Sequence, residues 1–149
     1  MLVRRLPLVA ALALWTAGCS SEPFKTAPVS GVVTVDGQPV PKAAVMFQPS
    51  ATEGQLNPGR GSYGITDSEG RYSLKLIGSE TRGAAVGKHK VRIENYTEPG
   101  DPTDDRPRPR PKPAIPIPAK YNVIDPRLQM DFEVPSGGTD KADFQLTSK

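Results

Sequence analysis

Apolar and polar residues alternate along most of this chain from Val29 onwards. The alternation is cleanest in 88–95, where His89, Val91 and Ile93 are separated by charged residues. A period of two residues is typical of a β-strand with one buried and one solvated face. The same pattern predicts about seven strands, at 29–35, 43–48, 62–66, 71–76, 88–95, 128–134 and 142–146.

The residues expected on the buried faces are mostly aliphatic and aromatic. Phe47 and Tyr72 would contribute large buried areas. No apolar spacing of 3.6 residues persists for three turns after residue 18, so the predicted fold class is all-β. Besides His89, Val91 and Ile93, the inward set is Val29, Val33, Val35, Val45, Phe47, Tyr72, Leu74, Leu76, Leu128, Met130, Phe132, Val134, Ala142, Phe144 and Leu146.

Glycine and aspartate mark the turns between these strands. Asp36-Gly37 is typical of a two-residue hairpin turn, after which 43–48 is expected to return beside 29–35. Asp67–Gly70 and Ser136–Thr139 are further predicted turns. Glycine tolerates the positive φ of tight turns, and the aspartate side chains are expected to accept hydrogen bonds from nearby backbone amides.

The first 18 residues have the organisation of a secretory leader. Arg4 and Arg5 precede the apolar stretch 6–17, which ends in Ala17 and is followed by Gly18. Its 12 residues are too few for a membrane-spanning helix, which needs roughly 20. We therefore predict a cleaved signal peptide over 1–18.

Cys19, the only cysteine of the chain, directly follows this leader. A lone cysteine in an exported protein has no disulfide partner in its own chain. The segment Thr16–Cys19 resembles the lipobox of bacterial lipoproteins, with Thr16 in place of the usual leucine. The resemblance implies that Cys19 is the lipid-attachment site, carrying a diacylglyceryl group and an N-acyl chain that anchor it in a membrane. Ser20 implies sorting to the outer membrane, and 19–28 is interpreted as a lipidated tether.

Removal of the leader changes the charge balance. The full chain has 149 residues, 19 of them lysine or arginine and 16 acidic. Without residues 1–18 it has 131 residues, 17 basic residues and a net charge near +1. This length suits one domain, and the near-neutral charge argues against nucleic acid as a partner. The only tryptophan, Trp15, belongs to the leader.

A proline-rich segment, 99–118, interrupts the strand pattern and holds 8 of the 17 prolines. Alternating proline removes backbone donors and favours a solvated, polyproline-II-like loop. Its acidic residues Asp101, Asp104 and Asp105 lack the spacing of a calcium-binding loop. Its basic residues are either a solvated face of that loop or a contact for an anionic surface or acidic protein; they are Arg106, Arg108, Arg110 and Lys112.

Four segments, in order, resemble carboxypeptidase-regulatory-like domains. They are the opening hairpin 29–49, the turn Thr66–Tyr72, the strand Gly87–Ile93 and the segment Ile117–Asn122, which is common in small lipoproteins of planctomycete-like bacteria. The resemblance covers about residues 29–147 and implies a single transthyretin-like (prealbumin-like) β-sandwich of about seven strands, with no catalytic residues. The proline- and arginine-rich loop departs from the family pattern. The predicted organisation is signal peptide 1–18, tether 19–28 and β-sandwich 29–148.

Candidate residues for chemistry are few. His89 is the only histidine, and it is in phase with Val91 and Ile93. We therefore interpret it as a partly buried strand residue, because a metal ligand or a catalytic base needs partners of suitable type. Transthyretin-like hydroxyisourate hydrolases use several histidines and a C-terminal Tyr-Arg-Gly-Ser, whereas this chain has Leu146–Lys149 at that place. We expect no enzyme activity, no cofactor and no metal.

The function that these observations favour is a non-enzymatic, lipid-anchored module of the bacterial cell envelope, structural or protein-binding. The alternative is a module that binds carbohydrate or another envelope polymer. Sugar-binding surfaces usually present tryptophan or tyrosine. The mature chain has no tryptophan, and its tyrosines fall mostly in strands or beside prolines; they are Tyr63, Tyr72, Tyr96 and Tyr121.

Overall fold

The computed structural model describes residues 23–54, 57–98 and 112–149. Within these ranges the regular structure is β-strand plus one 3-10 helix, with no α-helix, so the all-β prediction is confirmed. The predicted leader, Cys19 and residues 99–111 lie outside the described ranges. The strands are β1 (Thr26–Ala27), β2 (Ser30–Val35), β3 (Gln38–Pro39), β4 (Ala43–Pro49), β5 (Ser62–Ile65), β6 (Arg71–Ser73), β7 (Lys75–Leu76), β8 (Ala84–Ala85), β9 (Gly87–Asn95), β10 (Met130–Val134) and β11 (Phe144–Leu146), and the 3-10 helix is Ala119–Tyr121.

Five strands form an antiparallel sheet in the order β10-β9-β4-β5-β7. Its long central pair, β4 and β9, is in register over seven residue pairs, with Phe47 opposite Val91 and Met46 opposite Arg92. Side chains alternate between the two faces of a strand. The register therefore places Phe47 and Val91 on the inner face and Met46 and Arg92 on the outer face.

The second sheet is built around β2. β3 and β6 pair with β2 antiparallel, whereas β11 pairs with it in parallel, with Phe144 opposite Val33. The chain before β11 also runs close to β2: a Cβ built on Gly31 would lie 2.1 Å from the carbonyl oxygen of Ala142. Only glycine allows the two backbones to approach this closely. A separate pair, β1 with β8, forms a two-stranded sheet.

The turn after β2 has the predicted type but a different returning strand. Asp36 and Gly37 both have positive φ, 49° and 81°, as a two-residue type I′ turn requires. The strand that returns beside β2 is the short β3. The predicted strand 43–48 exists as β4, but it pairs with β5 and β9 in the other sheet.

The two turn aspartates behave differently. Asp67 Oδ1 accepts hydrogen bonds from the amides of Glu69 and Arg71, both at 2.9 Å, which confirms the predicted local bond. Asp36 Oδ1 instead accepts from the Ser148 amide at 3.1 Å. The local bond predicted for Asp36 is therefore wrong: its side chain holds the segment after β11, and these hydrogen bonds lower its pKa.

The predicted strand 71–76 divides between the two sheets. β6 pairs with β2, and β7, which follows after the single residue Leu74, pairs with β5. Tyr72, Leu74 and Leu76 are all buried, as their shared phase predicted. One continuous run of alternating residues therefore crosses from one sheet to the other.

Buried residues of both larger sheets belong to one hydrophobic cluster. Phe47 is 1 % exposed, and its ring centroid lies 5.3 Å from Phe132, 6.0 Å from Phe144 and 5.6 Å from His89. Aromatic pairs in such tilted or edge-on arrangements contribute about 0.5–1.5 kcal/mol each beyond their buried area. Because Phe144 lies on β11, these ring contacts join the two sheets.

A segment that ends in the 3-10 helix closes one end of this cluster. Asn95 Nδ2 donates to the carbonyl of Ile115 at 3.0 Å, and the amide of Ile117 donates to Asn95 Oδ1 at 2.8 Å. Tyr121 packs against the cluster, and its hydroxyl accepts a hydrogen bond from the Thr147 amide at 3.0 Å. The segment thus connects the end of β9 in one sheet to the end of β11 in the other. We call this end of the molecule the Asn95 end.

Two predicted boundaries differ from the structure. Leu128 lies before β10 and is 68 % exposed, so it does not share the buried face of Met130, Phe132 and Val134 as predicted. At the N-terminal side, β-structure begins with β1 rather than at Val29, and Ala27 is buried at 3 % exposure. The predicted tether 19–28 therefore includes residues that belong to the folded unit.

Replacement of Tyr72 by phenylalanine tests the link between β6 and the chain before β11. The Tyr72 hydroxyl donates to the Ala142 carbonyl at 2.6 Å, and both residues are buried. Tyr72→Phe leaves that carbonyl without this donor, so the free energy of unfolding should fall by about 1–2 kcal/mol. Denaturant titration measures the change, with the partly exposed Tyr63→Phe as control. A loss no larger than that of the control would refute the assignment.

Candidate functional site

The single histidine lies inside the hydrophobic cluster. β9 pairs with β4 and β10 on its two sides, so the His89 side chain faces inward opposite Pro49 and Phe132, and it is 1 % exposed. Its Nδ1 lies 2.9 Å from the Gly87 carbonyl oxygen, which can only accept, so Nδ1 carries the proton. Nε2 is buried and has no hydrogen-bond partner among the described residues.

This environment makes His89 a packing residue rather than a surface base. The sequence predicted a partly buried strand residue, and the structure buries it fully. Burial lowers the pKa of His89, since the charged imidazolium would lose its hydration, and the Gly87 hydrogen bond opposes this only in part. A ring enclosed by Phe47 and Phe132 offers neither nitrogen to a substrate in solution.

The lowered pKa predicts a dependence of stability on pH. Below its ordinary pKa of 6.5 the unfolded chain binds a proton that the folded protein excludes, so stability is complete above this pH and is lost as the pH falls. The free energy of unfolding should decrease as the pH falls below 6.5, by at most about 1.4 kcal/mol per pH unit. Denaturant titrations of wild type and His89→Gln measure this. Parallel curves for the two proteins in that window would contradict the interpretation.

The other candidate residues from the sequence, except Lys112, lie outside the ranges that the structure describes. Cys19, Asp101, Asp104 and Asp105 lie outside the described ranges, as do Arg106, Arg108 and Arg110. Lys112 is described and exposed.

The tyrosines are mostly engaged by the protein itself. Tyr72 is buried and desolvation raises its pKa. The Lys75 ammonium lies 5.5 Å from the centre of the Tyr63 ring, and the Tyr121 hydroxyl is held by Thr147, whose hydrogen bonds lower the pKa of Tyr121. Tyr96, half-buried after β9, lines a cavity.

The outer face of the five-stranded sheet carries a groove made of two adjoining cavities. The first, of about 440 Å³, is called the Ile124 cavity, and the second, of about 540 Å³, the Tyr96 cavity. Met46 lines both, so it separates the two halves of the groove. The Ile124 cavity is also lined by Gln48, Ile77, Lys90, Arg92 and Gln129, and the Tyr96 cavity by Ala44, Glu94, Asn95, Ile117 and Asn122.

The Ile124 cavity combines exposed aliphatic groups with cationic ones. Ile77 is 53 % and Ile124 83 % exposed. Arg92 Nη2 lies 3.0 Å from the Met46 sulfur, while Lys90 Nζ lies 2.7 Å from Asp131 Oδ1. Exposed aliphatic surface beside a guanidinium suits a partner that offers an apolar side chain next to a carboxylate or phosphate.

One wall of this cavity is held by short-range polar contacts. Gln129 Nε2 donates to the carbonyls of Val123 and Ile124 at 2.8 and 3.2 Å. Arg127 binds both carboxylate oxygens of Asp125 and lowers the pKa of that group. These contacts fix the turn that presents Ile124 over β4 and β9.

Sequence reasoning missed the groove. Its floor comes from outward residues of β4 and β9, which the alternation assigns to solvent, and its wall comes from residues 117–129, which show no periodic pattern. Ile77 follows Leu76 and Ile124 follows Val123, and nothing in the sequence marks either isoleucine as exposed.

Comparison of the chain with models of protein families, with curated proteins and with solved structures gave no match. Among the described residues, no helix has the length and apolarity needed to cross a membrane. In the same ranges, no three side chains of histidine, cysteine, aspartate or glutamate are grouped as metal ligands. The candidate site among the described residues is the groove, because it combines two adjoining cavities with exposed aliphatic and cationic side chains.

Proposed function

We propose that this protein is a lipid-anchored, non-enzymatic β-sandwich of the bacterial cell envelope that binds another protein through its outer groove. The observation that carries the binding role is the Ile124 cavity, where exposed Ile77 and Ile124 lie beside Arg92. Exposed aliphatic side chains grouped around a cation are typical of interaction surfaces rather than of a solvated sheet face.

The anchor is proposed from the sequence. A basic start, a short apolar stretch and the small residues before Cys19 support export, lipid attachment and, with Ser20, the outer membrane. β-structure begins at Thr26, seven residues after Cys19. The proposed acyl group would therefore join the chain a short distance before the first described strand.

The sandwich is proposed from the way the two larger sheets share one cluster. Phe47 and Phe144 contact each other from different sheets, and the chain crosses between the sheets at Leu74. Both features fit two layers packed face to face. Together with the resemblance of residues 29–147, they support a transthyretin-like, carboxypeptidase-regulatory-like domain.

The anchor is tested with the full-length chain in a Gram-negative bacterium. We expect wild type in the membrane fraction, with the mass of a lipidated Cys19 at its N-terminus. In Cys19→Ser the acyl attachment is lost, so the mass of a lipidated N-terminus should disappear. The control Thr16→Leu, which restores the usual lipobox residue, should keep that mass and stay in the membrane. An unmodified Cys19 in the wild-type protein would exclude this anchor.

The groove is tested by affinity capture from envelope extracts. Ile124→Asp and Arg92→Glu should each weaken retention of the captured protein at least about tenfold, because both alter the centre of the cavity. The matched control is Gln38→Asp, an exposed position in the second sheet. If all four proteins retain the same partners equally, the groove is not the binding surface.

A carbohydrate or other envelope polymer is the second candidate ligand, and the Tyr96 cavity favours it. Tyr96, Glu94 and Asn122 line it together, offering an aromatic ring beside hydrogen-bonding groups. Tyr96→Ala should then lower retention on peptidoglycan or a glycan array at least about tenfold, as removal of an aromatic contact at a binding site does, while Tyr63→Ala should not. Unchanged binding by Tyr96→Ala would exclude this ligand class at the cavity.

The basic residues Arg106, Arg108, Arg110 and Lys112 are proposed as a second contact, for an anionic surface or an acidic protein. Four positive charges within seven residues concentrate a local positive field. The described chain stops at Glu98, three residues after Asn95, and resumes at Lys112, three residues before Ile115; Asn95 and Ile115 lie together at the Asn95 end.

A further inference from the structure

We propose that the end of the β domain nearest Cys19 rests on the anchoring bilayer and contacts phospholipid headgroups through Lys25, Arg60 and Arg82. The inference rests on the proposed lipid anchor and adds an orientation and a contact surface to it. We call this end, which is formed by residues 24–28 and the groups that hold them, the Pro23 end.

The short chain between Cys19 and Pro23 limits how far the domain can lie from its anchor. Four residue steps separate Cys19 from Pro23, the first described residue, and a fully extended chain spans about 3.5 Å per residue. Pro23 therefore lies within about 14 Å of an acylated Cys19. The ten-residue tether expected from the sequence alone would allow more than twice that distance.

Residues 24–28 are held firmly by the domain. The Val86 amide donates to the Lys25 carbonyl and the Thr139 amide to the Pro28 carbonyl, both at 2.9 Å. A Cβ built on Gly59 would lie 3.1 Å from Phe24 Cδ2, so that side chain packs against the backbone of Gly59. The point at which the chain joins the domain is thus fixed, and an anchor there restrains the orientation of the whole domain.

The Pro23 end carries exposed basic residues. Lys25 belongs to the held segment, Arg60 follows Gly59, and Arg82 precedes Gly83, whose Cα lies against the Ala27 carbonyl. All three side chains belong to exposed residues. Of the residues that adjoin these backbone contacts in sequence, Lys25, Arg60 and Arg82 are basic and Asp140, next to Thr139, is acidic. Basic side chains at a membrane-facing end suit anionic phospholipid, which attracts basic residues near its surface.

The length of β9 shows which end of the domain faces away from the bilayer. β9 starts at Gly87, near Lys25, and ends at Asn95, and its nine residues extend about 26 Å at 3.3 Å per step. The Asn95 end, with Gly37 and the Tyr96 cavity, therefore lies at the opposite side of the domain from the bilayer. An outward Asn95 end leaves that half of the groove open to a partner.

The experiment uses the full-length chain recovered from membranes and placed in nanodiscs of phosphatidylethanolamine and phosphatidylglycerol that contain a gadolinium-chelating lipid. Paramagnetic relaxation of backbone amides falls steeply with distance from the headgroups. We expect strong enhancement at Lys25, Arg60 and Arg82 and none above background at Gly37 and Asn95. Equal enhancement at both ends, or a larger one at Gly37, would overturn the orientation.

Two variants distinguish the effect of the short tether from the effect of the basic side chains. Ten glycine and serine residues inserted after Ser21 should reduce the enhancement at the Pro23 end, because the domain is released. Lys25→Glu with Arg82→Glu should lower the headgroup-bound population by about fivefold for each lost cation. The matched control, Lys42→Glu with Lys120→Glu at the Asn95 end, should have no effect. An unchanged enhancement in the first charge variant would overturn the headgroup contact.

The mass of the N-terminal peptide, measured on the same sample, distinguishes the two proposals. A lipidated Cys19 without enhancement at the Pro23 end contradicts the orientation and leaves the anchor intact. An unmodified Cys19 contradicts the anchor, and the orientation that depends on it falls as well.

Discussion

The pairing of β4 with β9 determines which side chains form the hydrophobic cluster and which form the floor of the groove. One register, held over seven residue pairs, assigns every side chain of the two strands to a face. Phe47, Val91 and His89 go to the hydrophobic cluster, whereas Met46, Lys90 and Arg92 form the floor of the groove. A shift by one residue would exchange the two sets and bury the cations. The core and the candidate site are thus consequences of the same pairing.

The alternation in the sequence was sufficient to predict where the strands lie but not how they pair. Asp36-Gly37 predicted its turn correctly, because turn conformation depends on local residues. The return strand was assigned wrongly, since β4 is a better partner for the distant β9 than for β2. The pattern in 71–76 likewise gave the buried face of Tyr72 and Leu76 but not the change of sheet at Leu74, because both sheets bury the same phase.

The groove and the N-terminal strand were missed for a different physical reason. β1 is two residues long and is stabilised by backbone hydrogen bonds to β8 and its neighbours, which leave no periodic trace in the side chains. The groove depends on a turn around Ile124 that is fixed by Asp125, Arg127 and Gln129. Exposed apolar residues are common on protein surfaces, so only the fold shows that Ile124 lines a cavity.

The parallel pairing of β11 with β2 has a consequence for how the domain is made. Phe144 completes the sheet beside Val33, 111 positions earlier in the chain, so the side of β2 that pairs with β11 stays open until almost all of the domain has been synthesised. Contacts this distant in sequence form slowly and late. The domain therefore cannot reach its final fold before residue 146 is available. The same strand order that stabilises the finished domain delays completion of the second sheet until the last strand of the chain has been made.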